Sequence, residues 1–144
     1  MTEARRSYAL LLLMALVPGL ALIGCSDRKE TVAKQLIGHW QCTAQTIIYH
    51  DGRETRRDPA VQVVFSEDGS YQGKQGQSTS RGTYTVIDAH HYTYQVTQSD
   101  HAEHIGLSGT AAFSVTADQL EVIVPGQGEE ANAIKRIETT CQRQ

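Results

Sequence analysis

Residues 63–71, VVFSEDGSY, carry the pattern that decides the fold class. A short apolar run ends at SEDGS, and Tyr71 opens a second run on the other side of that turn. Gly69 suits the turn because it accepts the positive φ angle that tight hairpin turns require. The stretch therefore predicts two antiparallel strands joined by a hairpin.

The same pattern continues along the chain after Gly38. Runs rich in Val, Ile, Thr and Tyr alternate with turn residues, and each run is too short for a helix. The predicted strands are residues 39–50, 60–66, 70–76, 82–88, 91–99, 107–117, 120–125 and 133–141. Eight sequentially connected strands of this kind predict an all-β domain over residues 36–144. An antiparallel up-and-down β-barrel is the expected architecture, and a tightly rolled meander is the alternative.

The N-terminus has the parts of an export signal. Arg5 and Arg6 precede fifteen mostly apolar residues, 9–23, which lead into Gly24 and Cys25. The apolar stretch is short for a spanning helix, which takes about 20 residues. After Cys25, Val32 and Leu36 fall near helical spacing, so one or two helical turns are expected before the barrel.

The motif LIGC, residues 22–25, resembles the lipobox of bacterial lipoproteins. The resemblance implies a signal peptide over residues 1–24, lipidation of Cys25 with added acyl chains such as palmitate, and a lipidated tether with a short helix over residues 25–35. Ser26 stands where such lipoproteins carry Asp if they remain in the inner membrane, so the resemblance implies the outer membrane, facing the periplasm. An ordinary secretory signal and a retained helical anchor are the alternatives.

Charge sets a limit on the partners of the mature chain. Without residues 1–24, 15 acidic and 11 basic side chains remain among 120 residues, a net charge of −4. This balance is too small and of the wrong sign for a nucleic-acid binder. The membrane, reached through the lipid on Cys25, is the expected partner, together with a small apolar ligand or a periplasmic protein.

Four segments are similar to the small lipocalin-like domains of bacterial lipoproteins: LIGHWQ, VVFSEDGSY, RGTYTV and FSVTADQLEVIV. The resemblance covers roughly residues 35–140 and is most specific at Gly38 and Trp40. It implies a barrel whose one end is plugged by Trp40, with a basic residue of the last strand stacked on the ring. Arg136 is assigned that role, with Lys135 on the opposite strand face as the alternative.

Cys42 and Cys141 lie in the first and the last predicted strand. These strands are neighbours in a closed barrel, so the two side chains can reach disulfide distance, and the periplasm permits the bond. A reactive thiol or a metal pair is the alternative, although no CxxC motif or His-Cys cluster surrounds either residue. A disulfide is the prediction.

Signatures of catalysis are missing from the sequence. It contains no GxSxG, no HExxH and no phosphate-binding glycine loop, so neither an enzyme nor a cofactor is expected. His101, Glu103 and His104 suggest zinc, but a third ligand such as His90 or His91 would have to come from elsewhere. We therefore predict a solvated loop and no metal site.

The stretch GRETRRDP places Arg53, Arg56 and Arg57 on one predicted loop with two carboxylates. A solvated surface loop is the simpler interpretation. Contact with anionic lipid head groups or an acidic partner is the alternative.

The barrel interior is expected to be incompletely filled at the end away from Trp40. Ten inward-facing candidates contain only three aromatic residues: Trp40, Ile48, Val63, Phe65, Val86, Phe113, Val115, Leu120, Val122 and Ile134. An eight-stranded barrel can leave room for one small ligand. We expect a modest apolar pocket lined by Tyr84, Tyr92 and Tyr94, and hence a non-enzymatic binding module for a small apolar ligand or an envelope partner.

A periplasmic inhibitor is the second functional class, because small β-barrel lipoproteins that block lysozyme look broadly similar. Those inhibitors insert a Ser-Gly-x-x-Tyr loop. Here STSRGTY has Ser80 and Tyr84 with Arg81 between them, and Ser108-Gly109 has no following tyrosine. The match to the inhibitor loop is therefore poor.

Overall fold

The computed structural model describes residues 24–144, which form one α-helix, nine strands and a single 3₁₀ turn. The predicted signal peptide up to Ile23, and the Cys25 side chain, lie outside the described part. The elements are α1 (Gly24–Leu36), β1 (Gly38–Tyr49), β2 (Glu54–Arg57), β3 (Val61–Phe65), β4 (Ser70–Gln75), β5 (Ser78–Val86), β6 (His91–Ser99), the 3₁₀ turn (Ala102–His104), β7 (Ser108–Val115), β8 (Gln119–Pro125) and β9 (Ile134–Arg143).

Eight of the strands form a closed antiparallel up-and-down barrel. Neighbours along the chain pair from β3 to β9, β3 pairs with the first half of β1, and the β1–β9 pairing closes the sheet. The predicted all-β barrel of eight strands is thus confirmed. The ninth strand, β2, is added to the second half of β1 and was not predicted.

A β-bulge in β1 changes which residues face inward. Pairing with β9 shifts by one residue between Cys42 and Ala44, and an extra residue in one strand reverses the alternation that follows it. Beyond the bulge, Gln45 lines the cavity, and strand alternation puts Ile47 on the same face and Ile48 on the other. Ile48, which was expected in the interior, is buried nevertheless, with 9% of its surface exposed against 8% for Ile47.

Helix α1 covers one end of the barrel, the closed end. Its first residues are exposed, whereas Val32 and Ala33 pack against the core and Leu36 is fully buried. An ion pair between Glu30 and Lys34 at 2.7 Å stabilises the helix on its exposed face, as expected for oppositely charged residues four positions apart. The 13-residue helix is longer than the one or two turns expected, since its last turns gain tertiary contacts.

The buried core is concentrated between this helix and the middle of the barrel. Its members are Leu36, Trp40, Cys42, Phe65, Val86, Tyr92, Ala111, Phe113, Leu120 and Cys141. Within residues 24–144, no helix is long and apolar enough to cross a membrane. The opposite end of the barrel is closed by no helix in this part of the chain and carries the strand β2.

Candidate functional site

At the closed end of the barrel, the side chains of Trp40 and Arg143 contact each other and the C-terminus of α1. The indole Nε1 of Trp40 donates a hydrogen bond to the Leu36 carbonyl at 2.9 Å, which satisfies a carbonyl at the end of α1. The Arg143 guanidinium lies over the Trp40 ring, 4.2 Å from its centroid. It also donates to the carbonyls of Gln35 and Ile37 at 2.5 and 3.0 Å. One cation therefore links the last strand, the tryptophan and the helix C-terminus.

The assignment of the stacking residue to Arg136, or to Lys135, was wrong. Because β1 and β9 are antiparallel, Trp40 near the start of β1 faces Arg143 near the end of β9. Arg136 lies toward the other end of the strand, where its Nε donates to Glu138 at 2.6 Å.

Gly38 makes room for the Arg143 side chain. Its φ is +141°, and a Cβ atom at this position would lie 2.5 Å from a terminal nitrogen of Arg143. Glycine adopts this backbone conformation without the steric penalty other residues meet. The Gly-x-Trp motif thus places both the plug and the space for the cation that covers it.

The disulfide joins Cys42 and Cys141, as predicted. The two residues are direct partners in the β1–β9 pairing, both side chains are buried, and 99 residues separate them in sequence. The bond therefore crosses the seam that closes the barrel, between the closed end and the interior cavity.

An interior cavity of about 320 Å³ occupies the barrel beyond the disulfide. Its wall consists of Cys42, Gln45, Pro59, Val61, Val63, Phe65, Tyr71, Tyr92, Tyr94, Leu120, Val122, Val124, Thr139 and Cys141. This wall contains no charged side chain. The residues nearest the end opposite α1 are Gln45, Pro59, Val124 and Thr139, so the cavity lies on the side away from Trp40, where the sequence predicted incomplete filling.

The tyrosines contribute differently from the prediction. Tyr92 and Tyr94 line the cavity, but Tyr84 does not, because its hydroxyl donates to the Ser66 carbonyl at 2.8 Å toward the closed end. Tyr71 takes the third place in the wall. Strand register could have identified it, since Tyr71 is the direct hairpin partner of the inward-facing Phe65.

The hydroxyls of Tyr71 and Tyr92 remain protonated at neutral pH. Burial, and secondarily the neighbouring Tyr94 and Tyr71, raises the pKa of Tyr92 far above its ordinary value. Burial also raises the pKa of Tyr71, with a smaller contribution from Tyr94. The wall therefore offers neutral hydroxyl groups and aromatic edges to a ligand, with no charge.

Polar groups are gathered at the cavity rim. Gln45 Nε2 donates to Thr139 Oγ1 at 3.1 Å, and Gln45 Oε1 accepts from Nε of Arg57 at 2.7 Å. Pro59, in the connection between β2 and β3, is buried against the same opening, and its carbonyl accepts from Gln75 Nε2 at 2.7 Å. The rim is thus held by hydrogen bonds that leave the apolar interior free.

A larger depression of about 460 Å³ lies on the outer surface of β5, β6 and β7. Its lining is mostly threonine, serine and glutamine, and it also includes Tyr84 and Tyr94, two of the tyrosines expected at the ligand site. The depression offers less apolar surface than the interior cavity does. The interior cavity is the better site for an apolar molecule, since such sites are enclosed and mostly apolar.

The segment between β6 and β7 that contains His101, Glu103 and His104 does not bring together enough ligands for a metal ion. The rings of His101 and His104 lie 5.2 Å apart, and Glu103 contacts His101 at 3.7 Å. His91 instead faces Asp88 at 3.0 Å, at the closed end. Over the described range 24–144, no group of three or more His, Cys, Asp or Glu is arranged to hold a metal ion.

The segments compared with the inhibitor loop are both strands. Ser80, Arg81 and Tyr84 lie within β5, and Ser108-Gly109 begins β7. Neither segment projects as a loop. Comparison of the chain with protein-family models and with curated protein sequences found no match.

Proposed function

We propose that this chain is a non-enzymatic binding protein whose barrel cavity holds one small apolar ligand in the periplasm. The single observation that supports the proposal is the uncharged cavity of about 320 Å³, at the small end of the range of ligand pockets. Apolar side chains facing an unfilled space lose packing contacts, and a ligand would restore them.

The proposed location is the outer membrane, with the chain held by a lipid on Cys25. The motif LIGC and the residue Ser26 support this location. Replacing Cys25 with Ala should leave an unprocessed precursor without acyl chains, detected by mass spectrometry of the envelope fraction. Cleavage of the variant before residue 25 and its release in soluble form would contradict the anchor.

Titration with an uncharged fluorescent apolar probe, N-phenylnaphthylamine, tests the cavity. The full chain is used in phosphatidylcholine nanodiscs, with empty nanodiscs as the blank. Saturable binding is expected for the wild type. It should be lost in Val124→Phe, because Val124 lines the cavity and the larger ring fills part of it.

Ile123→Phe is the matched control. Ile123 is the neighbour of Val124 on β8, but it points outward and is 40% exposed. The Ile123→Phe variant adds the same ring to the outer face of the barrel, so probe binding should persist. Val63→Phe gives a second filled cavity, and circular dichroism verifies that each variant is folded. Equal probe binding by the folded cavity variants and the Ile123 control would rule out the proposed site.

A further inference from the structure

Three arginines follow β1, and two of them are paired with carboxylates close by. Arg53 contacts Asp51 at 3.3 Å, and Arg56 contacts Glu54 at 3.7 Å. Arg57 has no carboxylate within 4.0 Å in the described part of the chain. Arg57 is therefore the member of this group whose charge is available to a ligand.

Arg57 is also the one directed to the cavity rim. In the β1–β2 pairing it stands opposite Gln45, and its Nε donates to the Gln45 side chain at 2.7 Å. Gln45 lines the cavity and is held in turn by Thr139. Within the described chain, the two terminal guanidinium nitrogens make no hydrogen bond, so they can receive an anion at the rim.

The interior cannot accept the same anion at depth. Its wall has no cation, and burial keeps the Tyr92 hydroxyl neutral by raising its pKa. An ionised group moved into such a site loses its hydration without gaining a counter-ion, which is strongly unfavourable. A charged head must therefore remain at the rim while an apolar tail enters.

We propose that the cavity binds a monoanionic amphiphile, with its apolar tail among the valines and tyrosines and its anionic head on Arg57. This inference rests on the proposed function, because it names the chemical class of the ligand in the same cavity. Gln45 acts as a positioning residue that fixes the guanidinium at the rim.

Calorimetric titration of the full chain in phosphatidylcholine nanodiscs tests the charge preference. Decanoate, decanol and decyltrimethylammonium share one tail and differ in head charge. Decanoate should bind about fivefold more tightly than decanol, the scale of an exposed ion pair, and the cationic amphiphile should bind most weakly. Added salt should reduce the difference between decanoate and decanol.

Arg57→Gln should remove the preference for decanoate over decanol. Arg56→Gln is the matched control, because it removes the same charge from the same strand but from the residue paired with Glu54. It should keep the preference. Carboxyl-labelled decanoate should show a carbon shift on binding to wild type that Arg57→Gln abolishes.

The outcomes separate this inference from the proposed function. Saturable binding of decanol as tight as that of decanoate would overturn the role of Arg57 and leave the apolar cavity standing. An equal loss of preference in Arg57→Gln and Arg56→Gln would overturn it as well, since it would indicate only a general surface field. Failure of both decanol and decanoate to bind saturably would contradict the proposed function itself.

Discussion

Tyr92 is a buried titratable residue of the barrel interior. Its side chain is buried among other aromatic rings, with the centroids of Phe113 and Phe65 at 5.5 and 5.8 Å. Burial raises its folded-state pKa, so the unfolded chain releases this proton at a lower pH than the folded chain does. The contribution of the protonated Tyr92 side chain to the free energy of unfolding is therefore fully present below pH about 10 and is lost as pH rises above that value.

We expect the free energy of unfolding to fall above pH about 10 by up to about 1.4 kcal/mol per pH unit for this one group. Tyr92→Phe should make the fall shallower, while the raised pKa of Tyr71 leaves part of it in place. Urea unfolding between neutral and alkaline pH measures the two slopes. Identical slopes for wild type and variant would show that Tyr92 does not carry the effect.

Arg143 stacks on Trp40 because the register of β1 and β9 places the two residues opposite each other. The predicted Cys42–Cys141 pairing already implies that Trp40 stands opposite Arg143, two residues from each cysteine in opposite strand directions. The sequence therefore contained enough information to find the stacking residue. It was missed because the last strand was expected to end at residue 141, whereas β9 continues to Arg143 by pairing with β1 and β8.

Among the secondary-structure elements, the local sequence pattern predicted eight strands. Strand β2 and the bulge in β1 depend instead on pairing between strands that are distant in sequence. Strand β2, with the sequence ETRR, has no apolar alternation and forms because Gln45–Ile48 extends beyond β3. The bulge between Cys42 and Ala44 leaves no sequence signature such as glycine. Both features place the rim residues Gln45 and Arg57, so the rim could not be predicted from the sequence alone.

The seam between β1 and β9 should remain closed without the disulfide. Paired residues extend from Trp40–Arg143 to Tyr49–Ile134, well beyond the two cysteines. We expect the Cys42→Ala, Cys141→Ala double variant to keep its β-sheet circular dichroism spectrum at low temperature. Its free energy of unfolding should fall by up to about 4.7 kcal/mol, the chain-entropy value for a loop of roughly 100 residues.

Alanine is the suitable replacement because both sites are buried, and a serine hydroxyl there would add a separate desolvation cost. Reduced wild-type protein should unfold at the same urea concentration as the double variant. An unchanged unfolding midpoint, or a disordered spectrum at low temperature, would contradict this view of the seam.

For the whole molecule, the proposed anchor and the proposed cavity lie at opposite ends. Helix α1 runs 13 residues, about 20 Å, from Gly24 to the closed end. An acyl chain on Cys25 would therefore hold the closed end toward the membrane and direct the rim at Arg57 toward the periplasm. In this arrangement the ligand enters from the aqueous side, which suits an amphiphile with a charged head.

Methyl nuclear magnetic resonance of the full chain with added decanol shows directly where the ligand binds. A ligand inside the barrel gives intermolecular Overhauser effects from the decanol chain to the methyl groups of Val122 and Val124, which line the cavity. Effects confined to Ile105, Leu107 and Ile123, whose side chains are exposed, would place the ligand on the outer surface and contradict binding in the cavity.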